Sequence, residues 1–277
     1  MKTVSIMVPI FNEEKHLERL LPILKKINIP IFILDSGSDD KSIAIIKKYK
    51  IKIISGNWKR FSDKLNYGLD LNPYQTDWII RIDADEYLDL NFIDFLKRKE
   101  LKNVNNNVDA IYINRKIIFL GKWMKHGGVY PGKIVRIIRP GRAYYESKEL
   151  DEHVVTKNPL YFNIDVVDHP LYDLSQFLSK HIGYAKKFRD DYFSSGYLSP
   201  LVPKKGQNHL KIFMQNFFLK SPLFVRCFSY WIYRYFIRFG FMDGARGFIF
   251  TMLHAFIYRF IIDALIYEEK LKLKKNK

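Results

Sequence analysis

The first hundred residues alternate two hydrophobic patterns. Short apolar runs occupy Val4–Val8, Ile31–Leu34, Ile51–Ile54 and Trp78–Ile82. Between them, Glu13–Lys26 carries Leu17, Leu20, Leu21 and Leu24 at helical spacing, and Asp39–Tyr49 reads as a second helix with Asp39 or Ser38 as N-cap. Strands alternating with helices predict an α/β fold: a mainly parallel sheet flanked by helices on both faces. Ligands bind such sheets beyond the carboxyl ends of the strands. The polar residues collect there, with Asn12 and Glu13 after the first run, Asp35 after the second, and Asp83 and Asp85 after the fourth.

Residues 109–165 differ. Ala110–Ile113 and Ile134–Ile138 are β-rich, and Gly127-Gly128 and Pro140-Gly141 mark turns, a pattern suited to added strands and loops over a pocket. From about Leu174 the chain becomes helical. The expected division is a catalytic domain over 1–172 and a helical, basic and aromatic extension over 173–277.

Charge sharpens this picture. The net charge of +17 on 277 residues implies an anionic partner: nucleic acid, phospholipid or a phosphorylated substrate. From Lys204 to Lys277 there are 14 Lys/Arg against 4 Asp/Glu, and Arg226, Arg234 and Arg238 are interleaved with Phe228, Trp231, Tyr235 and Phe236. Aromatic bodies with cationic heads suit an interfacial helix on an anionic membrane surface; a helical cap or a homo-oligomer contact would bury the same rings. The longest uncharged stretch, Gly247–Tyr258, is about 18 Å long as a helix, so no membrane span is expected. No RNP sequence, zinc finger or basic zipper supports nucleic acid. The single cysteine, Cys227, excludes an internal disulfide framework and a cysteine zinc site. The opening MKTVSIMVPIFNEE has too short an apolar run for a secretory signal, so the active domain is expected in the cytoplasm.

The candidate chemistry centres on Asp83-Ala84-Asp85. Two carboxylates at i and i+2 beyond a strand can hold a hard divalent cation such as Mg²⁺ or Mn²⁺ together with substrate phosphates. Read alone, the same residues make a solvated acidic turn. Two further strand-end motifs change the balance: Pro9-Ile10-Phe11-Asn12-Glu13-Glu14 and Asp35-Ser36-Gly37-Ser38-Asp39-Asp40. Gly37 permits a tight turn, and Asp35 stands where a uracil or ribose could be hydrogen-bonded.

The segments VSIMVPIFNEE, ILDSGSDD and WIIRIDADE resemble, in order and spacing, family 2 glycosyltransferases with the GT-A fold, a Rossmann-like nucleotide-diphospho-sugar transferase architecture. NWKRFSDKLNYGL, YPGKIVRIIRPGRAYYE, ELDEHV and FMDGARGFIFTMLHAFIYRFIIDALIYE are similar to the branch containing lipopolysaccharide core β-1,4-glucosyltransferases. The resemblance implies a nucleotide-sugar-binding half over 1–100 and an acceptor-side half over 101–172. It further implies that Pro9, Phe11, Asn12, Glu13 and Asp35 line the nucleotide pocket, and that Asp83 binds ribose or diphosphate with Ala84 beside it. Asp85 would hold the divalent metal, with Asp83 and His169 as further candidate ligands. Lys64 and Asn66 fall in a segment that approaches nucleotide or sugar; the chain departs from the branch there, with Arg60 and Lys64 in place of Gly and Gln. The base implied for an inverting transfer is Glu152, with Asp151 as the alternative. Arg136, Arg139 and Arg142 could grip diphosphate or an acidic acceptor.

The expected activity is inverting transfer of a hexose, glucose favoured, from a UDP-sugar. The expected acceptor is lipopolysaccharide core or a lipid-linked saccharide, met by an enzyme peripheral on the inner face of the cytoplasmic membrane. Two other classes compete. A sugar-nucleotide nucleotidyltransferase needs a Gly-rich loop after the first strand, where this chain reads PIFNEEKH. A non-enzymatic membrane or nucleic-acid module is favoured by charge alone.

Overall fold

The computed structural model describes residues 3–146, 153–171, 173–194 and 221–275. It forms two compact units, one of Met1–Lys125 with Val129–Leu171 and one of His126–Gly128 with Tyr172–Lys277.

The first unit is an α/β sheet. In chain order its strands are β1 (Val4–Ile10), β2 (Ile31–Asp35), β3 (Lys52–Ser55), β4 (Trp78–Arg81), β5 (Glu86–Leu88), β6 (Ala110–Phe119), β7 (Lys122–Trp123), β8 (Gly132–Ile138), β9 (Tyr144–Tyr145), β10 (Val154–Val155) and β11 (Pro159–Asp168). Helices α1 (Glu14–Ile27), α2 (Ser42–Lys48), α3 (Phe61–Leu71) and α4 (Leu90–Lys97) connect the earlier strands. The main sheet runs β3-β2-β1-β4-β8-β6-β11-β5, with β7 beside β6. Its first four strands are parallel, β8 runs antiparallel to both β4 and β6, and β11 returns parallel to β6. The expected α/β architecture is present.

Alternation along the strands divides the core. Ile6, Val8 and Ile10 of β1, with Ile80, Ile111, Ile113, Ile164 and Val166, pack against Leu17, Leu20, Leu21 and Leu24 of α1. The alternate positions Met7, Phe32, Leu34 and Ile79 pack against Leu65 and Leu69 of α3. Gly68 is required by that second contact, because a Cβ there would lie 2.5 Å from Met7 Sδ and 2.6 Å from Leu34 Cδ1. The start of α2 departs from the sequence expectation. Its N-cap is Lys41, and the Asp40 carboxylate instead accepts from the N–H groups of Ser42 and Glu14 at 2.8 and 3.1 Å.

The second unit is helical. Helix α5 (Leu174–Ser194) and the C-terminal helix Tyr258–Lys275 share a core of Ala185, Tyr192, Ile262 and Ile266. Arg226 of helix Val225–Ile232 is buried against Asp263, its Nε donating to Oδ1 at 2.8 Å. The segment Tyr233–Asp243 presents Phe236, Ile237, Phe239, Phe241 and Met242 to solvent at 45–62% exposure. Gly240–Lys275 is one continuous helical run with a π segment at Met252–Ile257. By length and composition this run is long and apolar enough to cross a membrane, contrary to the expectation drawn from uncharged residues alone. Its isolated charges interrupt the uncharged stretch without lowering the mean hydropathy of an 18-residue window below 1.7.

Candidate functional site

The carboxyl ends of β1, β2 and β4 bring the three sequence motifs together. At the end of β1, Asn12 adopts a left-handed conformation, φ 55°. That turns its backbone N–H to Ser38 Oγ at 3.0 Å, while its side-chain oxygen accepts from Asp39 N at 3.0 Å. Glu13 N donates to Ser42 Oγ at 2.9 Å. The Glu13 carboxylate lies 2.5 Å from His16 Nδ1, and His16 Nε2 accepts from Leu171 N, so the ring proton sits on Nδ1. Pro9 lies inside β1 opposite Leu34, and Phe11 is exposed.

Asp35 closes its own turn. Its buried carboxylate accepts from Gly37 N at 3.1 Å, Ser38 N at 3.0 Å and Ser38 Oγ at 2.6 Å. Gly37, at φ 87°, supplies the turn conformation anticipated for it. Lys64 of α3 fastens this turn to the first. Its Nζ donates to the Ile10 carbonyl and to Ser36 Oγ, each at 2.7 Å. Burial lowers its pKa to about 8 against the pull of Asp35, Asp83 and Glu13.

The third motif is an ion-pair network. Arg81 grips Asp83 bidentately at 2.8 and 2.9 Å. Arg136, arriving from β8, donates to Asp83 Oδ2 at 2.8 Å and to the buried Glu86 at 2.5 Å. Burial raises the pKa of Asp83, but Arg136 and then Arg81 outweigh it and hold the carboxyl well below its usual range. Glu86 is raised, chiefly by burial. Ala84 packs into the core. The Asp85 carbonyl accepts from Arg19 at 2.9 Å and from His169 N at 3.0 Å, which draws the end of β11 to the same loop. Asp168, next to His169, is raised to about 7 by burial and by the nearby Asp85. Burial also lowers His169, whose ring packs on Tyr87.

Several expectations change in place. Asn66 spends its side-chain amide on the backbone of Tyr145, donating to O at 2.9 Å and accepting from N at 2.8 Å. Of the three arginines considered for phosphate, only Arg136 reaches the motif. Because β8 is antiparallel to β4, Arg139 lies at the opposite end of the sheet, over Trp78 and bonded to the Val108 carbonyl. Arg142 is there too, bonded to the Asn106 carbonyl. Asp151 and Glu152 lie outside the described residues. The residues flanking them are joined by a bond from Glu146 N to His153 O and by β9–β10 pairing, and Tyr145 of β9 lies against Arg81. Among the described residues, no group of three or more His, Cys, Asp or Glu side chains converges as a metal cage.

Sequence reasoning missed Arg81, Glu86, Asp168 and Tyr145. Arg81 carried a usable signal, since a charge inside a fully buried strand needs a partner.

The sheet thus carries acidic loops at the ends of β1, β2 and β4. Residues 5–155 match the model of the family described as Glycosyl transferase family 2, and the chain belongs to that family. A protein of Methanocaldococcus jannaschii is 31% identical over 121 residues, covering 39% of this chain and 50% of its own length, so the chain spans about half of that relative. A Rickettsia felis glycosyltransferase is 26% identical over 99% of this chain and 93% of its own. The poly(ribitol-phosphate) β-N-acetylglucosaminyltransferase TarS of Staphylococcus aureus is 24% identical over 72% of this chain and 38% of its own. The crystal structure of TarS 1–349 aligns over 98% of this chain and 92% of that one, at 15% identity and a TM-score of 0.47.

Proposed function

We propose that the chain transfers a hexose, with inversion, from a UDP-sugar to a lipid-linked or lipopolysaccharide-core saccharide. The observation that carries the reading is the gathering of three strand-end loops on neighbouring parallel strands: Pro9–Glu13 is bonded to Asp35–Asp39 directly and through the buried Lys64, and Asp83–Glu86 is held beside them by the Asp83 ion pairs. These loops form a fixed rim of oxygen and N–H groups where an α/β sheet takes a nucleotide. Asp35 and the Asn12 turn would meet the base and ribose.

Both Asp83 oxygens accept from guanidinium groups, which suits Asp83 to orienting the loop; Asp85 is the residue the family resemblance assigns to a Mg²⁺ or Mn²⁺ ion. Held there, such an ion would offset charge on the diphosphate leaving group. Glu152 is the assigned base and Asp151 the alternative. The acceptor hydroxyl attacks the anomeric carbon, its proton passes to the carboxylate, and the bond to diphosphate breaks. The exposed aromatic tip at Phe236–Met242, within a strongly basic region, supports an acceptor met at an anionic membrane surface.

Thermal shift of the full chain with UDP-glucose and UDP-N-acetylglucosamine, with and without Mn²⁺, tests this reading. The expected result is a metal-dependent rise in Tm that Asp85→Ala removes. Glu152→Gln is expected to keep the rise and lose turnover. Absence of any nucleotide-sugar effect on Tm or turnover would overturn the assignment.

A further inference from the structure

The half of the sheet formed by β6, β8 and β11 has one apolar face and one of a different kind. Ile113, Ile164 and Val166 point into the core against α1. The alternate positions carry Asn114 and Lys116 on β6, Lys133 on β8, and Tyr161, Asn163 and Asp165 on β11. These polar groups are organised. Asn114 is fully buried, and its amide donates to Asn163 Oδ1 and Asp165 Oδ1, each at 3.0 Å. Its own oxygen accepts from the Tyr161 hydroxyl at 3.0 Å, and Tyr130 donates to Asp165 Oδ1 at 3.0 Å.

Beside this network stands an aromatic edge with cations on it. Trp123 meets Tyr130 edge-on, with ring centroids 4.9 Å apart. Lys116 and Lys125 place their ammonium groups 4.4 and 4.5 Å from the Trp123 centroid, and Lys133 lies 4.1 Å from that of Tyr161. Two ammonium groups gathered on one indole repel one another, and an anion between or beside them relieves that cost. Of the carboxylates beside these lysines, Asp165 is occupied by Tyr130 and Asn114, and Asp89 lies within electrostatic reach of Lys116 but leaves Lys125 and Lys133 to solvent. Fixed amides and hydroxyls meet sugar hydroxyls, and lysines suit phosphate. The strand that carries this face also leads to the candidate site. Asp165 precedes Asp168 by three strand residues, about 10 Å, and His169 is bonded to the Asp85 loop.

We propose that this face binds the acceptor saccharide beyond the reacting hydroxyl, and that the bound portion carries a phosphate group. The proposal rests on the glycosyltransferase reading above.

The test follows the indole ¹⁵N–¹H resonance of Trp123 in the full chain, assigned through Trp123→Phe, during titration with glucose 6-phosphate, glucose and inorganic phosphate. The sugar phosphate is expected to shift it with a midpoint at least ten-fold lower than either component. Lys116→Ala with Lys125→Ala is expected to raise that midpoint at least ten-fold, while the Mn²⁺-dependent Tm rise with UDP-glucose stays as in the unaltered chain. No shift with glucose 6-phosphate, an equal response to inorganic phosphate, or indifference to the lysine substitutions would overturn the proposal and leave the donor reading standing. A sugar-phosphate response in a chain that gives no donor response would overturn the transferase reading and the acceptor assignment with it.

Discussion

Lys64 donates its ammonium to the Ile10 carbonyl at 2.7 Å from a position only 3% exposed. Burial drops its pKa from 10.5 to about 8. At pH 7 the amine is protonated in both folded and unfolded chains, and folding bears the full cost of burying it. Between about pH 8 and 10.5 the native protein releases this proton while the unfolded chain keeps it, so the stability attributable to Lys64 rises with pH. The gap corresponds to about 3 kcal/mol. Urea unfolding of the unaltered chain and of Lys64→Met across this window should show the difference between them shifting by that amount in favour of lysine. Parallel curves would refute the buried-cation account.

Arg136 bridges two acids, so its loss should cost more than the loss of either charge. Arg136→Met leaves Glu86 buried without its guanidinium and Asp83 with one in place of two, at about 3–5 kcal/mol. Glu86→Gln is milder, about 1–2 kcal/mol. Both Glu86 oxygens accept, from Arg136 and from Asp83 N, so glutamine must turn its NH₂ toward one donor. Denaturant midpoints at constant m-value would give the ranking.

Asn66→Ala should separate binding from turnover. It removes both bonds to Tyr145, about 2 kcal/mol of local stability, at the strand that leads into the Asp151–Glu152 segment. With Glu152 as base, kcat should fall at least ten-fold while the Kd for UDP-sugar, measured by calorimetry, changes less than two-fold. A matched loss of donor affinity would instead put Asn66 in the nucleotide pocket.

The tip residues Ile237 and Phe239 are exposed, so Ile237→Ser with Phe239→Ser should leave Tm unchanged. Sedimentation with liposomes containing anionic lipid should then fall at least ten-fold, since each apolar side chain contributes about 1.5 kcal/mol on burial. Added salt should weaken the remaining attachment. Equal pelleting of both chains would remove the tip from the membrane reading.

Much of this molecule was legible in the sequence where burial on both faces imposes an uninterrupted apolar run. β1, β2, β3 and β4 fell within two residues of their expected limits. That Asp35, Asp83 and Asp85 gather at one end of the sheet was legible because each stands at or just beyond the carboxyl end of such a run. The rest depended on contacts distant in sequence. Arg136 looks like an ordinary cation until β8 folds antiparallel onto β4 and brings it to an acid 53 residues away. Asn66 carries the hydrogen-bonding groups a nucleotide would use, and nothing local tells that Tyr145, 79 residues on, takes them. The C-terminal helix was underestimated because its uncharged stretches were counted in place of its mean hydropathy.

The Asn66 clamp also bears on how this enzyme can diverge. It holds only the backbone N–H and C=O of position 145, so the side chain there is not part of the grip. The Tyr145 ring answers to a different constraint, because it is buried in the core that packs on α3 and lies against Arg81. The backbone grip and the ring's packing are thus two separate attachments of β9 to the sheet domain, and a substitution at 145 that keeps the first can still lose the second.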